Sequence, residues 1–359
     1  MTRLTRADLD ALPNYVPGRN VADLARELGI AEAVKLASNE VPYGPLPGVV
    51  EAVTEAARTV HRYPDMGVIQ LRDTIGERLG VSPDRVVTGC GSVALAEILA
   101  KATCLPGDEI VYSWRSFEAY PIIAAGGGAT SVRVPNTAAH GHDLTAMAEA
   151  ITDQTRMVFV CNPNNPTGTS VRTAEIDRFL AEVPSDVLVV LDEAYREFVT
   201  DPEVPDGLET YGDRPNVVVL RTMSKAWGLA GLRMGYLVAQ PEVAGAVRKV
   251  VTPFSTSTVA QAAALAALGQ EEEVRRRCAL VIAERARLTE ALRKLSLDVP
   301  DSQANFVWLP LGDRTAAFTA ACESRGVIVR GFHPEGVRVT IGTPDENDLF
   351  LTAAESALT

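Results

Sequence analysis

The sequence predicts an α/β protein, with a mostly parallel central sheet in a large domain and a smaller α/β domain after it. Three observations carry that reading. From about Arg85 to Val238, short β-branched apolar runs alternate with amphipathic stretches, the pattern of strands separated by helices. The clearest runs, 157–160, 187–191 and 217–220, are apolar without alternation, as expected of strands covered on both faces. Beyond about Val250 the pattern changes to an alanine-rich stretch, a long charged one and then a second strand-helix alternation. The chain of 359 residues suffices for about two domains. Its 47% hydrophobic and 22% charged residues exclude a disordered chain, a collagen-like fibre and a disulfide scaffold.

Taken in order, the first 30 residues lack a sheet signal and predict an arm with a short helix. Residues 31–244 form the predicted large domain. In it, apolar spacing marks helices over 143–151 and 173–183, between the strands already named. Residues 245–359 form the predicted small domain, with helices near Ala260 and over 271–295 and strands at 305–309, 327–329 and 337–341. No repeat, low-complexity segment or linker interrupts the chain.

Charge and composition narrow the partners. The 46 acidic against 34 basic residues give a net charge of -12, which argues against a nucleic-acid binder. Five cysteines without a C-x-x-C pair and four dispersed histidines predict buried thiols, a reducing cytoplasm and no structural metal. Residues 1–12 carry charges throughout, and no run reaches 18 apolar residues, so neither a secretory leader nor a membrane span is expected.

The chemistry concentrates in a few motifs. Arg221-Thr-Met-Ser-Lys-Ala-Trp-Gly-Leu-Ala-Gly-Leu-Arg-Met-Gly235 follows directly on the strand 217–220. A lysine in a glycine-rich turn is ordinarily solvated, but Lys225 stands at a strand end beside small residues that admit a ligand, where it could form a Schiff base. Asp192 closes the strand 187–191 and so points to the crevice at the carboxyl ends of a parallel sheet; alone it could be a helix cap. Tyr195 lies three positions on. Asn162-Pro-Asn-Asn-Pro-Thr-Gly168 is richer in polar groups than a turn requires. Gly89-Cys-Gly-Ser-Val93 joins a strand to a helix beginning near Ser92, where the N–H groups of Ser92 and Val93 would meet an anion.

Together these motifs resemble the fold type I pyridoxal-phosphate aminotransferases, in the branch of the histidinol-phosphate and aromatic amino acid aminotransferases. The resemblance runs from Asn39-Glu-Val-Pro-Tyr-Gly44 through Arg62-Tyr-Pro-Asp65 to Arg338-Val-Thr-Ile-Gly342. It implies that Lys225 carries pyridoxal 5'-phosphate and shuttles a proton, and that Asp192 pairs with the ring nitrogen. It further implies that Asn165 and Tyr195 bond the ring oxygen and that Phe117 stacks on the ring. Ser92, Val93, Ser224, Arg233 and, more weakly, Thr222 would cradle the phosphate. Tyr63 would reach the phosphate of a neighbouring subunit, which implies a homodimer with shared active sites. Arg338 would grip the substrate carboxylate, with Arg330 either a second contact or a structural ion pair.

The sequence departs from the family at Val93-Ala94, where acidic residues are usual, at Val41, where asparagine is usual, and at Phe117, where tyrosine is frequent. Gly-Ser-Val-Ala-Leu, Trp-Arg-Ser-Phe-Glu-Ala-Tyr and Glu-Gly-Val-Arg-Val-Thr-Ile-Gly are most similar to the actinobacterial aromatic (phenylalanine) aminotransferases. The implied reaction is ping-pong transfer of an amino group between an aromatic L-amino acid and 2-oxoglutarate, in a side-chain pocket with Val41 near its wall. Its partners would be small amino acids and 2-oxo acids, with neither nucleic acid nor membrane. The alternatives are histidinol-phosphate transamination and, within the same fold, a decarboxylase or lyase.

Overall fold

The computed structural model describes residues 4–6, 10, 12, 20–31 and 33–358. The predicted arm at residues 1–30 therefore lies partly outside the described residues. Its described part holds one helix, Val21–Leu28, capped by Asn20, whose Oδ1 accepts from the backbone N–H of Ala22 at 2.8 Å and of Asp23 at 3.3 Å.

Eleven strands follow among the described residues: β1 (Val34–Leu36), β2 (Val86–Gly89), β3 (Glu109–Trp114), β4 (Thr130–Pro135), β5 (Thr155–Cys161), β6 (Leu188–Asp192), β7 (Val217–Thr222), β8 (Gly235–Val238), β9 (Phe306–Leu309), β10 (Val327–Phe332) and β11 (Gly336–Thr340). Seven form one sheet in the order β2-β8-β7-β6-β5-β3-β4. Only β8 runs antiparallel to its neighbours. Every residue of β6 and β7 is buried, which is why both are continuous apolar runs up to their polar carboxyl ends at Asp192 and Arg221-Thr222. The register sets Cys161 beside Asp192 and Asp192 beside Leu220, so the carboxyl ends of β5, β6 and β7 open on one crevice.

The second sheet has the order β1-β10-β11-β9. Its edge strand β1 pairs parallel with β10, Val34 opposite Val327, although it precedes every strand of the large sheet in the chain. One apolar cluster joins the two sheets, packing Phe198, Met223 and Trp227 with Phe306, Val337 and Phe350. The long helix Glu271–Lys294 begins on Glu271, Glu272 and Glu273 and ends on Arg293 and Lys294, charges that complement its dipole. From its middle, the buried Arg285 donates through Nη1 to the carbonyls of Phe198 at 3.0 Å and Ala304 at 2.8 Å. Four cysteines are buried thiols as expected, but Cys90 is exposed because it caps the helix Gly91–Thr103 from outside.

Candidate active site

At the crevice lies a cavity of about 160 Å³ lined by residues from both sheets. It gathers Ser92, Val93, Phe117, Asn165, Asp192, Tyr195, Thr222, Ser224, Lys225, Arg233, Arg330 and Arg338, twelve positions singled out in the sequence. A larger cleft of about 1030 Å³ lies elsewhere, and there Arg172, Arg293 and Lys294 already pair with Asp201, Asp301 and Glu290 at 3.1, 2.7 and 2.7 Å. These charges are spent on each other and Arg285 on backbone carbonyls, so the smaller cavity is the chemical one.

Lys225 sits in the turn after β7. Its Nζ donates to the carbonyl of Ser38 at 3.1 Å. Burial lowers its pKa from 10.5 to about 7, and the positive charge of Arg338 adds to that. Asp192 ends β6, with Oδ2 accepting from the Tyr120 hydroxyl at 2.9 Å. Burial raises its pKa from 3.8 to about 6, and the Tyr120 bond holds it from rising further. Its other oxygen, Oδ1, is buried with no hydrogen-bond partner among the described residues, a costly state unless a donor completes the site.

The polar turn after β5 divides its labour. Asn162 exchanges two hydrogen bonds with the backbone of Val171, at 3.0 and 3.1 Å. Asn164 accepts from Ser116 Oγ at 2.7 Å and donates to the Arg115 carbonyl at 3.1 Å. Both are structural, and Asn165 is the asparagine of the three that lines the cavity. Its Oδ1 accepts from Arg338 Nη1 at 2.5 Å. Arg338 also donates through Nη2 to the Ala37 carbonyl at 2.6 Å and lies 5.5 Å from the ring centres of Phe306 and Phe332. Arg330 stands opposite it in the β10–β11 register, and Arg330 Nη2 is paired with Glu118 Oε2 at 2.9 Å. That pairing relieves the repulsion of two facing cations.

The other end of the cavity is cut for an anion. The helix Gly91–Thr103 aims its first turn, with Ser92 and Val93, into the cavity. A Cβ on Gly91 would stand 2.7 Å from Arg233 Nη2, and one on Gly235 would stand 2.5 Å from the Ser92 nitrogen. Both glycines thus allow backbone and guanidinium to close on the same spot. Arg233 itself holds a left-handed φ of 56°, and its Nη1 lies 3.4 Å from Ser224 Oγ. Thr222 is less available, since its hydroxyl donates to the Met234 carbonyl at 3.4 Å.

Two of the expected residues are not brought to this cavity. Val41 packs beside Gly228 in the apolar cluster, 3.8 Å from where a Cβ on Gly228 would be. The left-handed turn at Asn39, φ 56°, comes two residues before it, and the cavity lining from this segment stops at Asn39. Tyr63 is 82% exposed and packs at a tilt against Phe254, ring centres 4.6 Å apart, outside its own chain's cavity. Conversely, sequence reasoning passed over Tyr120, Asn39, Thr340 and Glu118. Tyr120, Glu118, Asn39 and Thr340 all lie in motifs quoted above, but their partners are 72 to 301 positions away.

An α/β fold with a lysine and a carboxylate at adjacent strand ends, an anion cradle and an arginine on the opposing sheet defines a fold type I transferase. The family model for class I and II aminotransferases matches residues 31–353, and the chain belongs to that family, whose cofactor is pyridoxal 5'-phosphate. The chain is 57% identical over 350 residues to the aromatic amino acid aminotransferase of Streptomyces coelicolor, covering 98% of this chain and 96% of the relative. It is 52% identical over 356 residues to the enzyme of that name from Rhodococcus jostii, covering 99% and 96%. Among solved structures, histidinol-phosphate aminotransferase from Sinorhizobium meliloti in complex with pyridoxal-5'-phosphate superposes with a TM-score of 0.90 at 28% identity, covering 100% of this chain and 98% of that one.

Among the described residues no helix is long and apolar enough to cross a membrane, and no cluster of three metal-ligating side chains occurs. The cavity fits the cofactor on its own features. The partnerless Asp192 Oδ1 suits a ring N–H donor, and the Gly91/Gly235 cradle with Arg233 suits a phosphate.

Proposed function

We propose that this protein is an aromatic amino acid aminotransferase, moving an amino group between phenylalanine, tyrosine or tryptophan and 2-oxoglutarate. The observation that carries the aromatic reading is the Arg330–Glu118 pair at 2.9 Å. It neutralises Arg330, the cation facing Arg338 across the strands, and leaves Arg338 to meet the carboxylate common to all amino acids. A wall so neutralised favours an uncharged side chain over a phosphate ester. The names borne by the relatives at 57% and 52% identity support the same choice.

When bound, pyridoxal phosphate supplies an electron-withdrawing ring that stabilises negative charge at the substrate Cα. The chain's own residues do the rest. Lys225 holds the cofactor covalently, and an amine with a pKa near 7 can take and return a proton at neutral pH. Asp192 Oδ1 accepts from the ring nitrogen and keeps it protonated. Asn165 and Tyr195 bond the ring oxygen, and Phe117 covers the ring face. Ser92, Val93, Ser224 and Arg233 hold the phosphate, with Thr222 shaping its edge. Arg338 orients the substrate through its carboxylate. Amino acid and oxo acid use one cavity in turn, so the kinetics are ping-pong.

Tyr63 belongs in this proposal to a second copy's phosphate site. Its exposure, beside exposed Met66, Ile69 and Phe254, supports a homodimer interface there. The large domain is taken as residues 31–244 and the small one as 245–359, with β1 lent to the small domain's sheet. Residence in the cytoplasm fits four buried free thiols. The reading is tested by adding one amino donor at a time to the cofactor-loaded protein, without acceptor, and following loss of the visible absorbance. Faster conversion with L-phenylalanine or L-tyrosine than with L-histidinol phosphate is expected. The reverse order would make it a histidinol-phosphate aminotransferase, the activity of its S. meliloti structural neighbour.

A further inference from the structure

The side chain of Tyr195 can act on a bound cofactor only as its hydroxyl proton is aimed, and a chain of hydrogen bonds behind it decides that aim. We propose that Asn39 and Thr340 are positioning residues that fix Tyr195 as a hydrogen-bond donor into the cavity. The inference rests on the proposed contact of Tyr195 with the cofactor's ring oxygen.

The polarity follows link by link from what each group can do. The backbone N–H of Asn39 donates to Thr340 Oγ1 at 2.9 Å, and a backbone amide can do nothing else. The Thr340 oxygen is thereby an acceptor, and its own proton needs a partner. Among the described residues the acceptor for it is Asn39 Oδ1, at 3.1 Å. With the Asn39 oxygen committed to Thr340, the amide nitrogen faces Tyr195 and donates to Oη at 2.9 Å. Tyr195 accepts there, so its proton points elsewhere. No acceptor among the described residues takes it, and Tyr195 lines the cavity beside Lys225 and Asn165.

The opposite polarity, with the Asn39 amide turned over, would leave the Thr340 proton without an acceptor. Thr340 is 3% exposed and Asn39 1%, so water cannot make up the loss. The peptide of Asn39 is itself held, because Asn305 Nδ2 donates to its carbonyl at 3.0 Å. Asn39 sits at φ 56°, a left-handed conformation that asparagine tolerates better than most residues. Thr340 lies two residues beyond Arg338 on β11. The strand that presents the carboxylate grip thus also sets the donor at Tyr195.

A fixed O–H donor stabilises negative charge on the ring oxygen. It therefore lowers the pH at which the lysine-bound nitrogen nearby loses its proton. The test is a pH titration of the visible absorbance of the holoenzyme with no substrate, on wild type, Y195F, T340V and T340S. Y195F should raise the midpoint. T340V, which keeps the shape but frees the Asn39 amide to turn, should raise it by about one pH unit, a tenfold change in the proton equilibrium. T340S, which keeps the hydroxyl, should titrate as wild type. A wild-type midpoint in T340V while Y195F is shifted overturns the inference and leaves the Tyr195 contact standing. An unshifted Y195F overturns that contact instead. Equal shifts in T340V and T340S would mean a merely structural role and also overturn the inference. If T340V does not fold, T340A carries the same expectation.

Discussion

Replacing Tyr120 by phenylalanine should move the acid limit of cofactor binding. The Tyr120 hydroxyl donates to Asp192 Oδ2 at 2.9 Å, and both residues are buried. The ring is held independently, stacked on Phe159 at 4.4 Å and edge-on to Phe117 at 5.6 Å, so Tyr120→Phe removes the hydroxyl without opening a cavity. A hydrogen bond to a charged acceptor contributes about 1.5–3 kcal/mol, and one pKa unit corresponds to about 1.4 kcal/mol, so the loss is worth roughly 1–2 units. The bond stabilises the carboxylate, and its loss raises the pKa. Asp192 at about 6 is mostly ionised at pH 7. One to two units higher, it would be between about half and one tenth ionised at that pH. Only the carboxylate keeps the ring nitrogen protonated, so the acid limb of pyridoxal-phosphate affinity should rise by that amount. Equilibrium titration of the apo-enzyme with cofactor between pH 5.5 and 9 measures it. An acid limb at the same pH in Y120F and wild type would refute the reasoning.

Three further expectations follow from the site. Asp192→Asn should make the apo-enzyme more heat-stable above pH 6 while weakening cofactor binding. The folded pKa lies above the unfolded one, so the stability Asp192 gives below pH 3.8 is lost as pH rises through about 6; that loss is on the order of 2–3 kcal/mol, and melting curves at pH 4 and pH 8 would show a difference only at pH 8. Arg338→Lys should lower kcat/KM for every amino donor roughly 10- to 100-fold, because an ammonium cannot replace a fork that already spans Asn165 and Ala37; steady-state kinetics with two donors checks it. Gly91→Ala should weaken cofactor affinity, since a Cβ would meet Arg233 Nη2 at 2.7 Å and φ is 81°; the apo-enzyme titration reads it directly.

What could be read from the sequence divides along a physical line. Strands β5, β6 and β7 were legible because a strand covered on both faces must be apolar throughout, and Asp192 stood out as the charge that ends one. Lys225, Asn165 and Arg233 were legible because their motifs are local. Long-range pairing was not. Nothing in residues 34–36 announces a parallel partner at 327–329, and nothing near Tyr120 announces Asp192. Arg330 illustrates the same limit, since its partner Glu118 lies 212 positions away and decides whether the guanidinium is available. Val41 shows the limit of a local motif, since Asn39 turns the chain two residues before it and the cavity lining from this segment stops at Asn39.

The most direct test of the account is to load the protein with pyridoxal phosphate, reduce it with borohydride and map the labelled peptide by mass spectrometry. The account predicts one pyridoxyl group per chain, on Lys225, and none in a sample first converted with excess L-phenylalanine. A label on another lysine, or a label on Lys225 that phenylalanine does not displace, would contradict it.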